Sequence, residues 1–407
     1  MTAGEVMKST GKHLLVITII ILLFLTAGYL FPSGARGQMA DRENLLGEEG
    51  REQVDLKVVE DYWKEITGEV EEYLPPMEFR EIFNMMREEE GGRIDLYGFL
   101  QGFVSYLLRE VSLNLSLMGR LVILAVIAAL LRNLQWAFNS PSLNSLVQGL
   151  IFMVLLSIAL QSFFLVTEIG REAIDRMVEF ILALVPLLLI LLASLGSLAS
   201  AAIFQPMVIL CANFFSLIIK DLVFPLIFFA AVLMLMDHFS EDFKISRLGF
   251  LFRDASIFVI TFCLTIFVGV LSLSGIAGSV SDGITLRTAK FLTGAFVPVV
   301  GRLVADAVDA VVGASLLFKN GLVLTGILII FLITIFPLIK IAAMIIVYKL
   351  SSALIQPLGE TAICDCLNTM GNCLLLIFAA VTAVSLMFFI VVIIIMGAGN
   401  AAVMLRA

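Results

Sequence analysis

Six ionisable side chains stand where a reaction centre or a polar path could be built: Lys220, Asp221, Arg302, Asp306, Asp309 and Lys340, all inside or beside apolar runs. Arg302 and Asp306 are four residues apart and Asp306 and Asp309 three, so on a helix all three project from one face. They sit in FVPVVGRLVADAVDA (296–310), where Val304, Ala305, Ala307, Val308 and Ala310 are too small and apolar to solvate them. Arg302 can pair with Asp306, which leaves Asp309 needing a cation, water or another subunit. Pro298 and Gly301 can end one half-helix just before the group, and backbone groups freed inside a bilayer need protein or water nearby. The spacing predicts a broken membrane helix whose polar face lines a water-filled or subunit-facing path. A surface amphipathic helix, with the polar face in solvent, is the alternative. An unpaired charge at mid-bilayer costs a few kcal/mol or more, so buried ionisable groups face partners or water. For Lys220–Asp221 the plain reading is an interfacial turn, and for Lys340 a snorkelling side chain.

Catalytic chemistry has little raw material. The chain has no G-x4-G-K-[ST], no H-E-x-x-H and no G-x-S-x-G. Its histidines are His13 and His238. Asp306 and Asp309 could imitate the paired carboxylates of an intramembrane protease, but three apart on one helix they do not converge on one substrate atom. Cys364, Cys366 and Cys373 form C-x-C-x6-C, which lacks the C-x2-C pairs and extra ligands of a zinc site. Cys211 and Cys263 lie in apolar runs and read as core. We expect no enzyme activity, no cofactor and no metal.

The elements that must position these residues are membrane helices. Hydrophobic residues make up 60% and charged residues 15% of the chain, and the mean hydropathy is +1.05; a soluble domain is about half apolar and about a quarter charged. Runs near 113–131, 146–166, 177–198, 203–236, 255–273, 321–348 and 374–396 reach or approach the roughly 20 residues a crossing needs. Counted with 289–312 they give seven or eight crossings. The run 203–236 contains Pro225 and the run 321–348 contains Pro337, and both exceed one upright helix. Pro186, Pro225, Pro298 and Pro337 are the expected kinks, since each lacks an N–H and crowds the carbonyl four residues earlier.

An internal match bears on topology. FPLIFFAA (224–231) recurs as FPLIKIAA (336–343) at an offset of 112, and the same offset carries Val185-Pro186 onto Val297-Pro298. A true duplication would give three-segment units inverted relative to one another, a plan common in transporters. Chance similarity between proline-interrupted apolar helices is the alternative. The small-residue stretches ASLGSLASAA (193–202) and 305–316 allow close helix approach, within the chain or between subunits of a homo-oligomer.

Residues 1–35 read as an export signal: Lys8 and Lys12, an apolar run at 14–26, then Ser33-Gly34-Ala35. Cleaved or retained as an anchor, the signal sends the acidic stretch after it out of the cytoplasm. Residues 41–100 carry 18 of the 34 acidic side chains against 7 basic ones, which argues against a nucleic-acid partner. Val58, Tyr62, Ile66 and Val70 recur every four residues and predict a short amphipathic helix. Residues 36–112 thus form an acidic, extracytoplasmic and interfacial segment, ahead of a polytopic domain at 113–400.

RTAKFLTGAFVPVVGRLVADAVDAVVGASLLFKN (287–320) and LVPLLLILLASLGSLASAAIFQP (184–206) resemble the stage III sporulation protein AE family of endospore-forming bacteria. The resemblance covers roughly 95–400. It implies a multi-pass subunit, in the mother-cell membrane around the forespore, of a secretion-like channel complex. The implied partners are other membrane and ring-forming proteins, a secretion-type ATPase and a forespore-side protein. It carries no catalytic residues. The fold class expected is all-α; the functions expected are a channel-complex subunit or, alternatively, a self-contained secondary transporter or a membrane scaffold.

Overall fold

The computed structural model describes residues 57–70, 96–138, 141–237, 245–296 and 301–404. The predicted signal (1–35), most of the acidic segment and Pro298 lie outside the described residues. The described chain is helical, with no strand among the described residues. Its helices are α1 (Lys57–Val70), α2 (Leu96–Leu113), α3 (Leu115–Phe138), α4 (Pro141–Ser194), α5 (Leu198–Ile218), a π-helical turn (Ile219–Val223), α6 (Phe224–Asp237), α7 (Ser246–Phe296), α8 (Gly301–Ile355) and α9 (Thr361–Met404). The all-α expectation holds.

Among the described residues the predicted runs merge into fewer, longer rods. Runs 146–166 and 177–198 are one helix of 54 residues. In the polar stretch between them Glu172 and Arg176 pair across one turn at 2.9 Å, and Arg171 and Asp175 find partners on a neighbouring helix. Among the described residues five helices are long and apolar enough to cross a bilayer, and α2–α3, bent by 42°, is a sixth if counted as one span. This makes the chain a multi-pass membrane protein by length and composition.

Contacts fix the direction of each rod. Gly326 of α8 faces Leu184 of α4, and the Thr334 hydroxyl lies 3.3 Å from Met177 Sδ, so α4 and α8 run antiparallel. Gly278 of α7 faces Ser200 of α5, while Gly249 faces Met234 of α6; α7 therefore runs back along α5–α6. The turn after α4 is closed by Ser197 N–H to Leu192 O (3.1 Å) and Gly196 N–H to Ala193 O (2.9 Å), the Schellman arrangement. It needs the positive φ of Gly196 (87°), and Gly359 (79°) serves the α8–α9 turn at the opposite end of the bundle. We call the Gly196 end upper and the Gly359 end lower.

The core lies between α4, α8 and α9. On α9, Ile363, Met370, Ile377, Val384, Val391 and Ala398 are buried seven residues apart, with Cys366, Cys373, Ala380 and Met387 beside them. That is the seam of a coiled-coil-like pair, and α8 fills it with Thr334 against Ser385 at 3.0 Å. Outside this core, α7 is the most exposed rod, with 22% of its apolar window buried against 67% for α8 and α9.

The amphipathic helix expected at 58–70 is α1, which buries Val59 and Trp63 and sets Tyr62 edge-on to Phe180 of α4 at 5.2 Å. Helix α2, expected along the interface, packs on α8 through Phe103 and Tyr106, the latter 5.2 Å from Phe336. The repeat does not carry into the architecture. At the offset of 112 the tight turn at 195–197 falls on 307–309, inside the continuous α8.

Candidate functional site

The site grows from one proline. Pro225 has no N–H, and in a regular α-helix its ring would press on the carbonyl of Asp221. The chain widens instead into the π turn Ile219–Val223, so the Phe224 N–H reaches back five residues to Ile219 O. In that register the next donor, for the Lys220 carbonyl, would be residue 225, which is proline. The carbonyl is left without a backbone partner. Arg171 of α4 supplies one: its Nη2 donates to Lys220 O at 2.8 Å.

The same guanidinium lies 3.6 Å from Asp221 Oδ1, and the Lys220 ammonium donates to Asp175 of α4. Arg171 and Asp175 are one helical turn apart, as are Glu172 and Arg176 beside them. Two cations and two anions thus interleave across the crossing of α4 with the π turn, with no net charge. Pairing of this kind is what permits ionised groups within membrane-length helices. Gly170 lets the helices meet: a Cβ there would lie 3.2 Å from Phe224 and Val381 and 3.3 Å from Ile377.

The predicted residues fare differently. Lys220 and Asp221 belong to this cluster. Lys340 is exposed on α8, and no ion pair to it is found among the described residues. Arg302, Asp306 and Asp309 lie on the first turns of α8, on the helical backbone their alignment requires, but their side chains are outside the description. Helix α7 ends at Phe296 and α8 begins at Gly301; residues 297–300 between them, with Pro298, lie outside the described residues. α4 runs on through Pro186 and α8 through Pro337; among the described residues the helix changes register at Pro225.

Three polar sites were not singled out from sequence. Arg171 and Asp175 fall between the apolar runs 146–166 and 177–198. Asp282 of α7, 1% exposed, accepts the N–H groups of Ala199 (2.8 Å) and Ser200 (3.2 Å) at the start of α5. Lys349 of α8 donates to the amide oxygens of Asn368 and Asn372 on α9, each at 2.6 Å. The cysteines diverge: Cys366 and Cys373 point into the core, while Cys364 exchanges hydrogen bonds with Ser352. Among the described residues no three His, Cys, Asp or Glu side chains gather as a metal site.

The sequence model of the family described as Stage III sporulation protein AE matches residues 77–399. Stage III sporulation protein AE of Bacillus subtilis (strain 168) is 38% identical over 367 residues, 90% of this chain and 92% of that relative. No solved structure matches the chain.

Proposed function

The chain belongs to the stage III sporulation protein AE family, and from that premise we propose that it is a non-enzymatic, multi-pass subunit of an export channel complex joining mother cell and forespore. The family places it in sporulation, and its long apolar helices make it a membrane protein. The observation that supports a subunit role is the crossing at the π turn, where charges of four side chains are used on one another and on a backbone carbonyl. Such a junction holds helices; it presents no reacting group. Energy coupling in this reading comes from a cytoplasmic secretion-type ATPase, and the other partners are membrane and ring-forming proteins in the mother-cell membrane.

The secondary-transporter reading drew its strength from an inverted repeat, and the helix boundaries do not repeat at that offset. Two measurements separate the readings. In an endospore-forming host, replacing the chain with Arg302→Ala, Asp309→Ala or Asp309→Leu variants should lower heat-resistant spore yield and complex co-purification while membrane levels hold. All three variants assembled and active at wild-type levels would show that the 296–310 stretch lines no path. Solute flux through the purified chain alone in liposomes would overturn the subunit reading.

A further inference from the structure

Helices α7 and α9 fix the height of the bilayer. On α7, residues 255–281 carry no charged side chain, with Arg253 and Asp254 just below the run and Asp282 just above it. The run is about 40 Å long, enough for the roughly 30 Å of hydrocarbon and part of the headgroup layers. Along it Phe262, Ile266, Leu273 and Ile276 are exposed, Leu273 by 69%. On α9 the run 366–398 is charge-free above Asp365. Helix α4 by itself would not choose, since 141–167 and 180–194 are both free of charge.

Side-chain contacts carry the midplane of that run across the bundle. Phe267, near its centre, meets Phe215 of α5 at 5.5 Å between rings. Phe215 stands a little over one turn above Lys220, which Asp175 of α4 holds. Met177 of α4 is therefore close to midplane height, and Thr334 of α8 and Ser385 of α9 meet there. On the α7 side this height is bare Phe, Ile and Leu. On the α4 side it is ionised. From Val166 to Phe180 every exposed residue of α4 is a carboxylate: Glu168, Glu172, Asp175 and Glu179. Steps of four, three and four put them on one face. Glu172 pairs with Arg176 and Asp175 with Lys220, yet their side chains stay 60% and 51% exposed. Among the described residues no cation pairs with Glu168 or Glu179.

Helix α1 adds charge on the same face at the same height. It buries Val59 and Trp63, sets Tyr62 on Phe180 at 5.2 Å, and turns Asp61, Lys64 and Glu65 outward, with Lys64 spent on Glu60. Unpaired charges at mid-bilayer cost several kcal/mol each, so lipid cannot cover the α1–α4 face, although it covers α7 at that height. We propose that the α1–α4 face is the wall of a water-filled recess reaching the bilayer midplane from the side on which the acidic segment lies. Water is the occupant because the outward side chains of α4 there are all carboxylates, and protein interfaces are built on apolar and aromatic anchors with few charges at their centre. The recess stands on this geometry alone; its use as part of an export path rests on the subunit reading above.

The test uses Glu172→Cys, Glu179→Cys, Phe262→Cys and Leu273→Cys in the full chain, reconstituted in liposomes, with a charged, membrane-impermeant thiol reagent on both faces. All four positions are exposed, and the native cysteines, four buried and Cys364 half-buried, set the background. The two α4 positions should label faster than the two α7 positions by about a hundredfold or more, because an apolar surrounding suppresses the reactive thiolate. Slow labelling at all four would overturn the recess. Fast labelling at all four would overturn the placement of the bilayer, and the recess with it. Labelling of the α4 positions that is fast in liposomes but lost in membranes of a sporulating host would show a protein seated on the face and overturn water as its occupant. Solute flux through the chain alone, with the α4 positions fast and the α7 positions slow, would sink the subunit reading and leave the recess standing.

Discussion

Asp282 offers the most direct reading of the bundle's energetics. The first N–H groups of α5 have no partner within their own helix, and Ser197 at the N-cap makes no side-chain capping bond. A carboxylate eighty-odd residues away takes that role, receiving Ala199 N–H at 2.8 Å and Ser200 N–H at 3.2 Å. It also sits at the positive end of the α5 dipole, which favours its charge. Asp282→Ala removes both bonds and leaves two buried donors unmet, at roughly 1–3 kcal/mol each.

Helices separated within a membrane recover partners, which lowers such losses, so we expect about 2–4 kcal/mol for Asp282→Ala. Asp282→Asn keeps one acceptor oxygen but loses the charge, and should fall near half that value. The assay is reversible unfolding of the purified chain in mixed micelles, with helix content as the probe. Asp282→Ala unfolding within about 0.5 kcal/mol of wild type would refute the cap. Equal losses for Asn and Ala would refute the hydrogen-bond account and leave charge alone.

The same geometry sets three further outcomes. Gly278→Ala puts a methyl group 2.6 Å from Ser200 Oγ and 2.9 Å from its Cα, so backbones must part, at about 1–3 kcal/mol; Gly326→Ala meets the movable tip of Leu184 at 2.6 Å and should cost clearly less in the same unfolding assay. Pro225→Ala restores an N–H that can reach the Lys220 carbonyl, so Arg171→Ala should be less harmful in that background by about 1 kcal/mol in a double-mutant cycle; strictly additive losses would sink the orphan-carbonyl account. Burial, and then Glu179 and Glu65, raise the Tyr62 phenol above its ordinary value of 10.0. A raised folded value means its contribution is complete below pH 10 and is lost as pH climbs through the higher folded value, so α1 protection from protease should fall in that window and Tyr62→Phe should abolish the dependence.

Much of this was readable from residues taken one helix at a time. The hydropathy runs gave all-α membrane helices, the four-residue spacing gave α1, and the pairing of Lys220–Asp221 with Pro225 marked an irregular place. What escaped was what two helices make together. Arg171 and Asp175 looked like a break between runs because TEIGREAIDR is polar. Their partners lie 49 and 45 residues away, and no periodicity spans that distance. Asp282 fell beyond the expected end of the run 255–273, and its role depends on where the α5 N-terminus lands. The small residues of 193–202 signalled close approach correctly; that Ser200 meets Gly278 required the fold. The duplication failed because an eight-residue match constrains side chains on one face and says nothing about where a turn must fall.

The two polar junctions also explain how apolar rods of this length keep one register. Leucine, isoleucine and phenylalanine faces tolerate sliding, since a shift by one heptad replaces one apolar contact by another. Asp282 ties the upper end of α5 to α7, and Arg171 ties the π turn to α4 some twenty residues lower down the same rod. Each bond is directional, and each partner is a backbone group that cannot follow a slide. With the rod pinned at two heights, the α4–α6–α7 face below the cluster becomes a surface of fixed shape. Loss of either pin should therefore loosen the register before it unfolds the bundle: Asp282→Ala or Arg171→Ala should lower the yield of a disulfide between cysteines placed at Phe215 and Phe267, whose rings lie 5.5 Å apart, while helix content stays at the wild-type value.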